Sequence, residues 1–187
     1  MPVHICLLRG INVGGNSIIK MDALRGLFAG LKFDPVQTYV QSGNVVFTAR
    51  SASQEAIAKQ IRQAIEKRFQ CTPDVMLRSA NDFRAVVKNN PFAKRTDIEP
   101  GKLLVSFLSS TPPAAAADAL QTFYSGPEEL HLRGREIYIH FPFGAGKSKL
   151  PWSRLEKVIG CSGTARNWNS VTRILAMAEA MEVAANG

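Results

Sequence analysis

Residues 3–20 read VHICLLRGINVGGNSIIK, and this stretch sets the pattern that the rest of the fold follows. Its first six residues are mostly apolar and partly β-branched, which predicts a buried strand that ends at Arg9-Gly10. A loop rich in glycine and asparagine comes next. Beyond the loop, apolar residues recur at helical spacing, and the helix they predict ends near Gly30. Those apolar residues are Leu24, Leu27, Phe28 and Leu31.

The following segment predicts a hairpin, a second helix and a fourth strand. Two strand-length runs within residues 36–48 are joined at Gly43, which takes the positive φ that a tight turn needs. Ser51 and Gln54 resemble a capping box at the start of a longer helix. Residues 74–78 predict a fourth strand. The order βαββαβ predicts a ferredoxin-like sheet with two helices on one face.

A similar order of elements recurs in the second half of the chain. Residues 102–108 predict a strand, an alanine-rich helix opens at Pro112-Pro113, and residues 128–141 predict a hairpin. A short helix, a brief segment and a last helix complete the sequence. We therefore predict an α+β protein with two ferredoxin-like (βαββαβ) halves and antiparallel sheets. The expected boundaries are residues 1–90 and 101–187 for the halves and 91–100 for a linker, which Pro91 and Pro100 mark.

Composition indicates a folded protein that does not enter a membrane. The chain has 187 residues, of which 45% are hydrophobic, as in ordinary globular domains. The apolar runs are strand-length and far shorter than the roughly 20 residues of a membrane span. The N-terminus lacks the pattern of a secretory signal because Arg9 interrupts its first apolar run. We expect a cytoplasmic location and no membrane partner.

The sequence offers no clear metal site or catalytic group. Cys6, Cys71 and Cys161 are far apart and lack the spacing of zinc ligands, so no metal site is expected. The histidines are isolated, and the carboxylates Glu128 and Glu129 flank a hairpin without forming an evident acid–base pair. Catalytic residues, cofactor, oligomeric state and the question of whether the protein is an enzyme therefore remain open.

The chain is basic, and part of its charge is concentrated near the C-terminus. Net charge is +8 and the isoelectric point is about 9.7, which favours anionic partners at low salt. Residues 143–173 contain six Lys or Arg residues and a single acidic residue, Glu156. This segment is a local basic cluster.

The first candidate site is the loop GINVGG at residues 10–15. A dinucleotide fingerprint requires glycine where Asn12 stands, so a Rossmann interpretation fails. Consecutive glycines nevertheless allow backbone N–H groups to converge near a helix N-terminus, and Arg9 adds a full positive charge. Arg9, Asn12, Gly14 and Gly15 are therefore candidate ligand-binding residues. The alternative is a surface loop whose glycines only ease a turn.

A second candidate lies at residues 144–149, where GKS suggests a phosphate-binding loop. That motif requires a glycine where Phe141 stands, so the interpretation as a Walker A motif fails. Lys149 remains a candidate for facing a phosphate. The alternative is an exposed connection after a strand.

The third candidate is TARNWN at residues 164–169, which precedes the last helix. One asparagine is explained as a helix cap. Arg166, Asn167, Trp168 and Asn169 together offer a planar surface and hydrogen-bonding groups for a base, an amide or a carboxylate. The alternative is a buried tryptophan with satisfied asparagines.

An RNA-recognition module shares the βαββαβ order, but the first strand here lacks a stacking aromatic residue. In the second half, Tyr138 and His140 share one face of a strand and would be able to stack a base. Two residues are only weak support for base stacking.

Five strings in the sequence are LLRGINVGG, YVQSGNVVF, NPF at residues 90–92, SKLPW and GTARNWNSVT. On these strings the chain resembles the domain-of-unknown-function 1697 family of bacterial proteins. The resemblance implies an α+β protein built from ferredoxin-like elements. It implies no activity and assigns no site residues.

These observations lead to one interpretation and two alternatives. The first and third candidate loops, with Lys149, are expected to line one basic cleft that binds an anionic ligand, namely a nucleotide, a nucleic acid or a phosphorylated small molecule. The first alternative is an enzyme that acts on a small phosphorylated or carboxylated substrate, with Lys149 or Arg166 stabilising developing charge. The second is a structural or protein-interaction module in which the loops brace the two halves.

Overall fold

The computed structural model describes residues 1–12, 18–50 and 53–186. The first half contains four strands and three helices. The strands are β1 (Val3–Arg9), β2 (Val36–Tyr39), β3 (Asn44–Thr48) and β4 (Asp74–Ser79), and the helices are α1 (Met21–Gly30), α2 (Gln54–Phe69) and α3 (Ala80–Lys88).

The second half repeats this order of strands and helices. Its strands are β5 (Leu103–Leu108), β6 (Glu129–Arg133), β7 (Glu136–His140) and β8 (Gly163–Asn167), and its helices are α4 (Ala116–Phe123), α5 (Trp152–Ile159) and α6 (Trp168–Asn186). Two short 3-10 turns, Pro100–Lys102 and Ala145–Lys147, precede β5 and α5. The sequence indicates the residues of β8 only as a brief segment. It does not predict a strand there because the small and polar residues of β8 lack an apolar pattern.

Each half forms one four-stranded antiparallel sheet. The strand orders are β2-β3-β1-β4 and β6-β7-β5-β8, with all pairings antiparallel. In both halves the first strand is central and the last strand pairs with it at the edge, which is the ferredoxin-like arrangement. The predicted fold class is confirmed.

Apolar residues of the strands and helices build a separate core in each half. In the first, α1 and α2 pack on the sheet face that carries Cys6, Leu8 and Phe47. In the second, α4 and α5 pack on the face that carries Leu108 and Ile139. Side chains alternate between faces along a strand, so the intervening residues point to the opposite side of each sheet.

The turn between β2 and β3 explains the glycine of YVQSGNVVF. Gly43 has φ +75°, and a Cβ placed there would lie 2.8 Å from the Leu8 Cβ and from the Ile11 Cδ1. Only glycine fits this close approach. The predicted hairpin therefore depends on the positive φ and on the missing side chain.

The start of α2 differs from the predicted capping box. Ser53 is the N-cap, and its Oγ accepts a hydrogen bond from the Ala56 backbone N–H at 3.1 Å. Ser51, the predicted cap, lies outside the described residues.

The chain divides into two compact units. One contains Met1–Ala85 and the chain from Arg173 onward, and the other contains Val86–Thr172. The expected boundaries 1–90, 91–100 and 101–187 stay a prediction. Within residues 1–12, 18–50 and 53–186, every helix is too short or too polar to cross a bilayer.

Candidate functional site

The start of β5 and the ends of β7 and β8 lie at the same end of the second sheet. Leu103 at the start of β5 pairs with His140 at the end of β7, and Leu104 pairs with Asn167 at the end of β8. Glu129 at the start of β6 also pairs with His140. Because the strands are antiparallel, the loop after β7 and the residues after β8 emerge at this same end of the sheet. We call it the Leu103 end.

A pocket of about 290 Å³ lies at the Leu103 end. Two aromatic residues, Phe92 and Trp168, contribute to its walls, and Asn90 and Arg95 contribute polar groups. Its other lining residues are Val87, Ala93, Ile98, Pro100 and Leu103. The pocket therefore combines the NPF segment at residues 90–92 with the tryptophan of TARNWN.

The NPF segment is held in place by its own turn and by two histidines of the sheet. The Asn90 Oδ1 accepts a hydrogen bond from the Phe92 backbone N–H at 3.0 Å. Phe92 is buried, and its ring centroid lies 5.0 Å from that of His131 and 5.9 Å from that of His140. Although these residues fall at the start of the expected linker, they pack on the second sheet.

Arg95 is surrounded by carboxylates. Its Nη1 donates to both oxygens of Glu129, at 2.8 and 2.9 Å, while its Nε and Nη2 donate to Asp97 at 3.1 and 2.6 Å. These hydrogen bonds lower the pKa of Asp97 to about 2 and lower the pKa of Glu129. Two carboxylates thus balance the charge of Arg95, and the pocket itself is not strongly basic.

Glu129 also contacts a buried histidine. Its Oε1 lies 3.1 Å from the Nδ1 of His140, which is 6% exposed. A carboxylate that orients an imidazole is used in acid–base catalysis. Here the imidazole packs against Phe92 and is absent from the residues that line the pocket.

Asn167 and Trp168 mark the beginning of α6. The Asn167 Oδ1 accepts a hydrogen bond from the Asn169 backbone N–H at 2.9 Å, so Asn167 acts as a helix cap. Its Nδ2 donates to the Gly101 carbonyl at 2.9 Å and ties α6 to the start of β5. Trp168 is half-buried and lines the pocket, whereas Asn169 is exposed.

Arg166 points to the sheet face opposite α4 and α5. It pairs in register with Val105, is 6% exposed, and donates from Nη1 to the Thr164 Oγ1 at 2.7 Å and to the Ala165 carbonyl at 2.9 Å. The same face carries Tyr138, whose hydroxyl donates to the Val86 carbonyl at 2.7 Å.

Burial raises the pKa of Tyr138 and leaves its ring 1% exposed. Tyr138 and His140 are therefore too buried to stack a base. The suggestion that they do so, taken from their shared strand face, is wrong.

The first unit contains a residue that corresponds to Arg166. Arg78 pairs in register with Ile5 on the central strand β1, is 2% exposed, and donates from Nη1 to the Leu77 carbonyl at 3.0 Å. Both arginines therefore lie on the last strand of their sheet and bond to the carbonyl of the preceding residue. The repetition indicates that this position has a structural role in each half, and ligand binding by Arg166 stays a prediction.

The loop between β7 and α5 presents lysines to solvent. Lys147 and Lys149 are exposed, and neither forms an ion pair with any residue in the described part of the chain. The Ser148 Oγ accepts a hydrogen bond from the Leu150 N–H at 3.0 Å. The pKa of Glu128 is lowered overall. Burial acts to raise it, but the hydrogen bonds from Ser148 and Tyr124 together lower it by more. Ser148 thus anchors the loop beside the sheet.

In the first unit, the side-chain amide of Asn12 bonds to the backbone of Ile19 and Gln41. Its Nδ2 donates to the Ile19 carbonyl at 3.0 Å and to the Gln41 carbonyl at 2.8 Å, and its Oδ1 accepts from the Ile19 N–H at 2.7 Å. Its φ of +55° is a conformation that asparagine tolerates better than most residues. The amide of Asn12 is therefore occupied by the loop backbone.

The remaining candidates of the first unit are Arg9, Gly14 and Gly15. Arg9 forms a partly exposed ion pair with Asp74, with 3.6 Å between Nη1 and Oδ2. Gly14 and Gly15 lie outside the described residues. The predicted cleft shared by the first and third candidate loops stays a prediction.

Of the residues that line the pocket, the sequence pattern predicts Trp168 as a candidate and does not predict Asn90, Phe92 or Arg95. The NPF string was the available signal, but a proline-flanked segment between two halves is typical of a linker. In the residues that the structure describes, no cluster of three or more His, Cys, Asp or Glu side chains suits a metal ion.

Comparisons with known proteins agree with the architecture. The model of the family described as Protein of unknown function (DUF1697) matches residues 1–138, a range that includes the NPF segment and ends before Trp168. The chain is also similar to the solved structure of conserved bacterial protein SP0830 from Streptococcus pneumoniae. The TM-score is 0.70 at 22% identity, over 95% of this chain and 98% of that chain, so the likeness concerns the fold. No curated protein matches the sequence.

Proposed function

We propose that this chain, which belongs to the DUF1697 family of proteins of unknown function, binds an anionic ligand with a planar ring at the Leu103 end of its second sheet. The chemical class that fits is a nucleotide. The observation that carries the proposal is the pocket walled by Phe92 and Trp168 at the sheet edge from which the lysine loop emerges.

The aromatic walls suit a flat, partly apolar group. Phe and Trp rings attract other π-systems in stacked or edge-on arrangements. The Nδ2 of Asn90 offers a donor, while its Oδ1 accepts from the Phe92 N–H. At about 290 Å³ the pocket lies at the lower limit of small-molecule sites, which span roughly 300–1,000 Å³. A ring system fits this space, and a charged phosphate would lie outside it.

The charge for such a phosphate comes from the loop and not from Arg95. Glu129 and Asp97 hold the guanidinium of Arg95, so an anion at that position would compete with two carboxylates. Lys147 and Lys149 are exposed and pair with no carboxylate within the described residues. Lysine binds phosphate as a point charge, and both lysines belong to a loop that starts at the Leu103 end.

Binding is proposed ahead of catalysis because the one histidine with a carboxylate partner near the pocket is covered. His140 packs against Phe92 and is not among the residues that line the pocket. A general base has to reach the proton that it abstracts. Nothing in this arrangement favours an enzyme over a binding protein.

Tryptophan fluorescence tests the proposal. The variant Trp152→Phe leaves Trp168 as the remaining tryptophan, and adenosine 5′-monophosphate is the probe. We expect saturable quenching, because a stacked base changes the surroundings of the indole ring. Lys149→Ala in the same background should weaken binding about two- to fivefold, the effect of losing one exposed charge pair worth roughly 0.5–1 kcal/mol.

Lys59→Ala is the matched control, because Lys59 is an exposed lysine on α2 in the first unit. It should leave the affinity unchanged. Fluorescence that stays constant over the titration with this and other nucleotides would reject the proposal. Equal losses for Lys149→Ala and Lys59→Ala would reject the role of the loop.

A further inference from the structure

We infer that the ligand is single-stranded nucleic acid, and that an exposed surface on the α5 side of the second sheet binds the part of the strand that lies outside the pocket. The inference rests on the proposed function, since the pocket then takes one base of the strand. The surface consists of six residues of the loop after β7 and of α5. They are Phe143, Lys147, Lys149, Trp152, Arg154 and Lys157.

Two large aromatic side chains of this surface face solvent. Phe143 is 70% exposed and Trp152 is 39% exposed. Full exposure of an aromatic ring forgoes the free energy that its burial would contribute. Single exposed apolar residues are ordinary, but two rings within ten residues, flanked by lysines, form a pattern that stacking surfaces use.

Both residues are anchored to one buried residue, Phe141, Trp152 through its ring and Phe143 through a backbone turn. The ring of Phe141 stacks with that of Trp152 at a centroid distance of 6.2 Å and an interplanar angle of 29°. The Phe141 carbonyl accepts a hydrogen bond from the Gly144 N–H at 2.9 Å, which closes the turn that contains Phe143. The φ of +84° at Gly144 is one that glycine adopts readily. The surface is therefore preorganised by a buried anchor.

Cations lie in the same segments as these rings, and two nearby carboxylates are drawn inward. Glu128, which accepts a hydrogen bond from Ser148, is only 9% exposed. Lys147, Lys149 and Lys157 are exposed and form no ion pair within the described part of the chain. Arg154 is exposed, and its guanidinium lies 5.8 Å from the Phe123 ring centroid. The carboxylate of Glu156 accepts a hydrogen bond from the Gly163 N–H at 3.1 Å, so its charge is directed toward β8. The surface is positive, as a phosphate backbone requires.

Exposed rings together with cations favour a single strand over other anionic macromolecules. A duplex keeps its bases stacked within the helix, so it would use the lysines and leave Phe143 and Trp152 without a role. An acidic peptide would likewise pair with the lysines alone. A single strand offers unstacked bases to the rings and phosphates to the cations.

Fluorescence anisotropy with a labelled ten-nucleotide single strand tests the inference. The strand should bind at least tenfold more tightly than adenosine 5′-monophosphate, because it contacts the surface as well as the pocket. With about four phosphate contacts, log K should fall against log salt with a slope of roughly −3. Phe143→Ala should weaken strand binding about five- to hundredfold, the range that one base–aromatic stack implies.

Phe143→Ala should leave mononucleotide affinity unchanged, because Phe143 does not line the pocket. Since Phe143 is largely exposed, the variant is expected to fold. The double variant Lys147→Ala/Lys149→Ala should reduce the salt slope by about one unit or more. The matched control is Lys59→Ala/Lys67→Ala on α2, which should leave the slope unchanged.

The outcomes separate this inference from the proposed function. A mononucleotide that quenches Trp168 together with a strand that binds no more tightly would overturn the inference and leave the proposed function standing. Equal affinity for a duplex of the same length would also overturn it. Strand binding that is sensitive to Phe143→Ala but indifferent to Trp168→Ala would support the surface and reject the pocket.

Discussion

Replacing Asn12 by alanine should destabilise the protein through the loop of the LLRGINVGG segment. The substitution removes three hydrogen bonds, two to the backbone of Ile19 and one to the carbonyl of Gln41. Each net bond contributes about 0.5–1.5 kcal/mol, with the exposed bond to Gln41 at the lower limit. Alanine at the φ of +55° adds about 1 kcal/mol of backbone strain. The expected loss of unfolding free energy is about 2.5–4.5 kcal/mol.

Two further variants separate the contributions of hydrogen bonding and backbone strain. Asn12→Gly loses the same three hydrogen bonds but tolerates the positive φ, so it should be less damaging than alanine. Asn12→Asp keeps an acceptor for the Ile19 N–H and loses both donors, so about half of the effect should remain. The measurement is urea unfolding at 25 °C, evaluated with unchanged m-values.

Hydrogen exchange at the Ile19 amide gives a local readout of the same interaction. Its exchange should accelerate in Asn12→Ala, because its acceptor is the lost Oδ1. Affinity for adenosine 5′-monophosphate should stay within about twofold of the unsubstituted protein, since the proposed site belongs to the second unit. A stability change below about 0.5 kcal/mol with unaltered exchange at Ile19 would show that the Asn12 hydrogen bonds do not stabilise the fold.

Three further substitutions test other parts of the fold. Both ring nitrogens of His4 are buried without a hydrogen-bond partner among the described residues, and burial lowers the pKa of His4 from 6.5. Stability should therefore fall as the pH drops below about 6.5, because the unfolded state takes up a proton first. His4→Phe should lessen that fall, measured as urea midpoints between pH 7.5 and 5.0. Val40 is half-exposed and has φ +47°, a conformation that asparagine adopts more readily than valine. Val40→Asn should therefore raise the unfolding free energy by about 1 kcal/mol. Val183→Asn, at an exposed helical position, should not raise it. Asn167→Ala should cost about 1 kcal/mol of unfolding free energy through the lost α6 cap, and Asn167→Asp, which keeps the acceptor, should cost less. An unchanged midpoint for any of the three would contradict its structural assignment.

The sequence identified the fold because apolar periodicity and turn chemistry agreed with each other. Helical spacing from Leu24 to Phe28 predicted the buried face of α1, and Gly43 predicted the hairpin. The strand β8 escaped detection because Gly163 to Asn167 has few apolar residues, although it is fully paired with β5. Long-range pairing, not local composition, makes this segment a strand.

The site was harder to infer, because residue chemistry alone does not reveal burial or hydrogen-bond partners. Arginine commonly binds anions, but the position of Arg166 on β8 directs its side chain toward a buried face of the sheet. Asn12 has the right amide, but the loop backbone occupies it. Conversely, Phe92 falls in the predicted linker, because its contacts with His131 and His140 are distant in sequence and leave no local pattern.

The most direct test of the proposed site is an amide ¹H–¹⁵N map of the whole protein titrated with adenosine 5′-monophosphate. Saturable shifts are expected in the pocket segments, residues 90–95 and 167–169, with smaller shifts around Lys147 and Lys149. Shifts confined to the first unit, or no saturable shifts at all, would rule out binding at the Leu103 end.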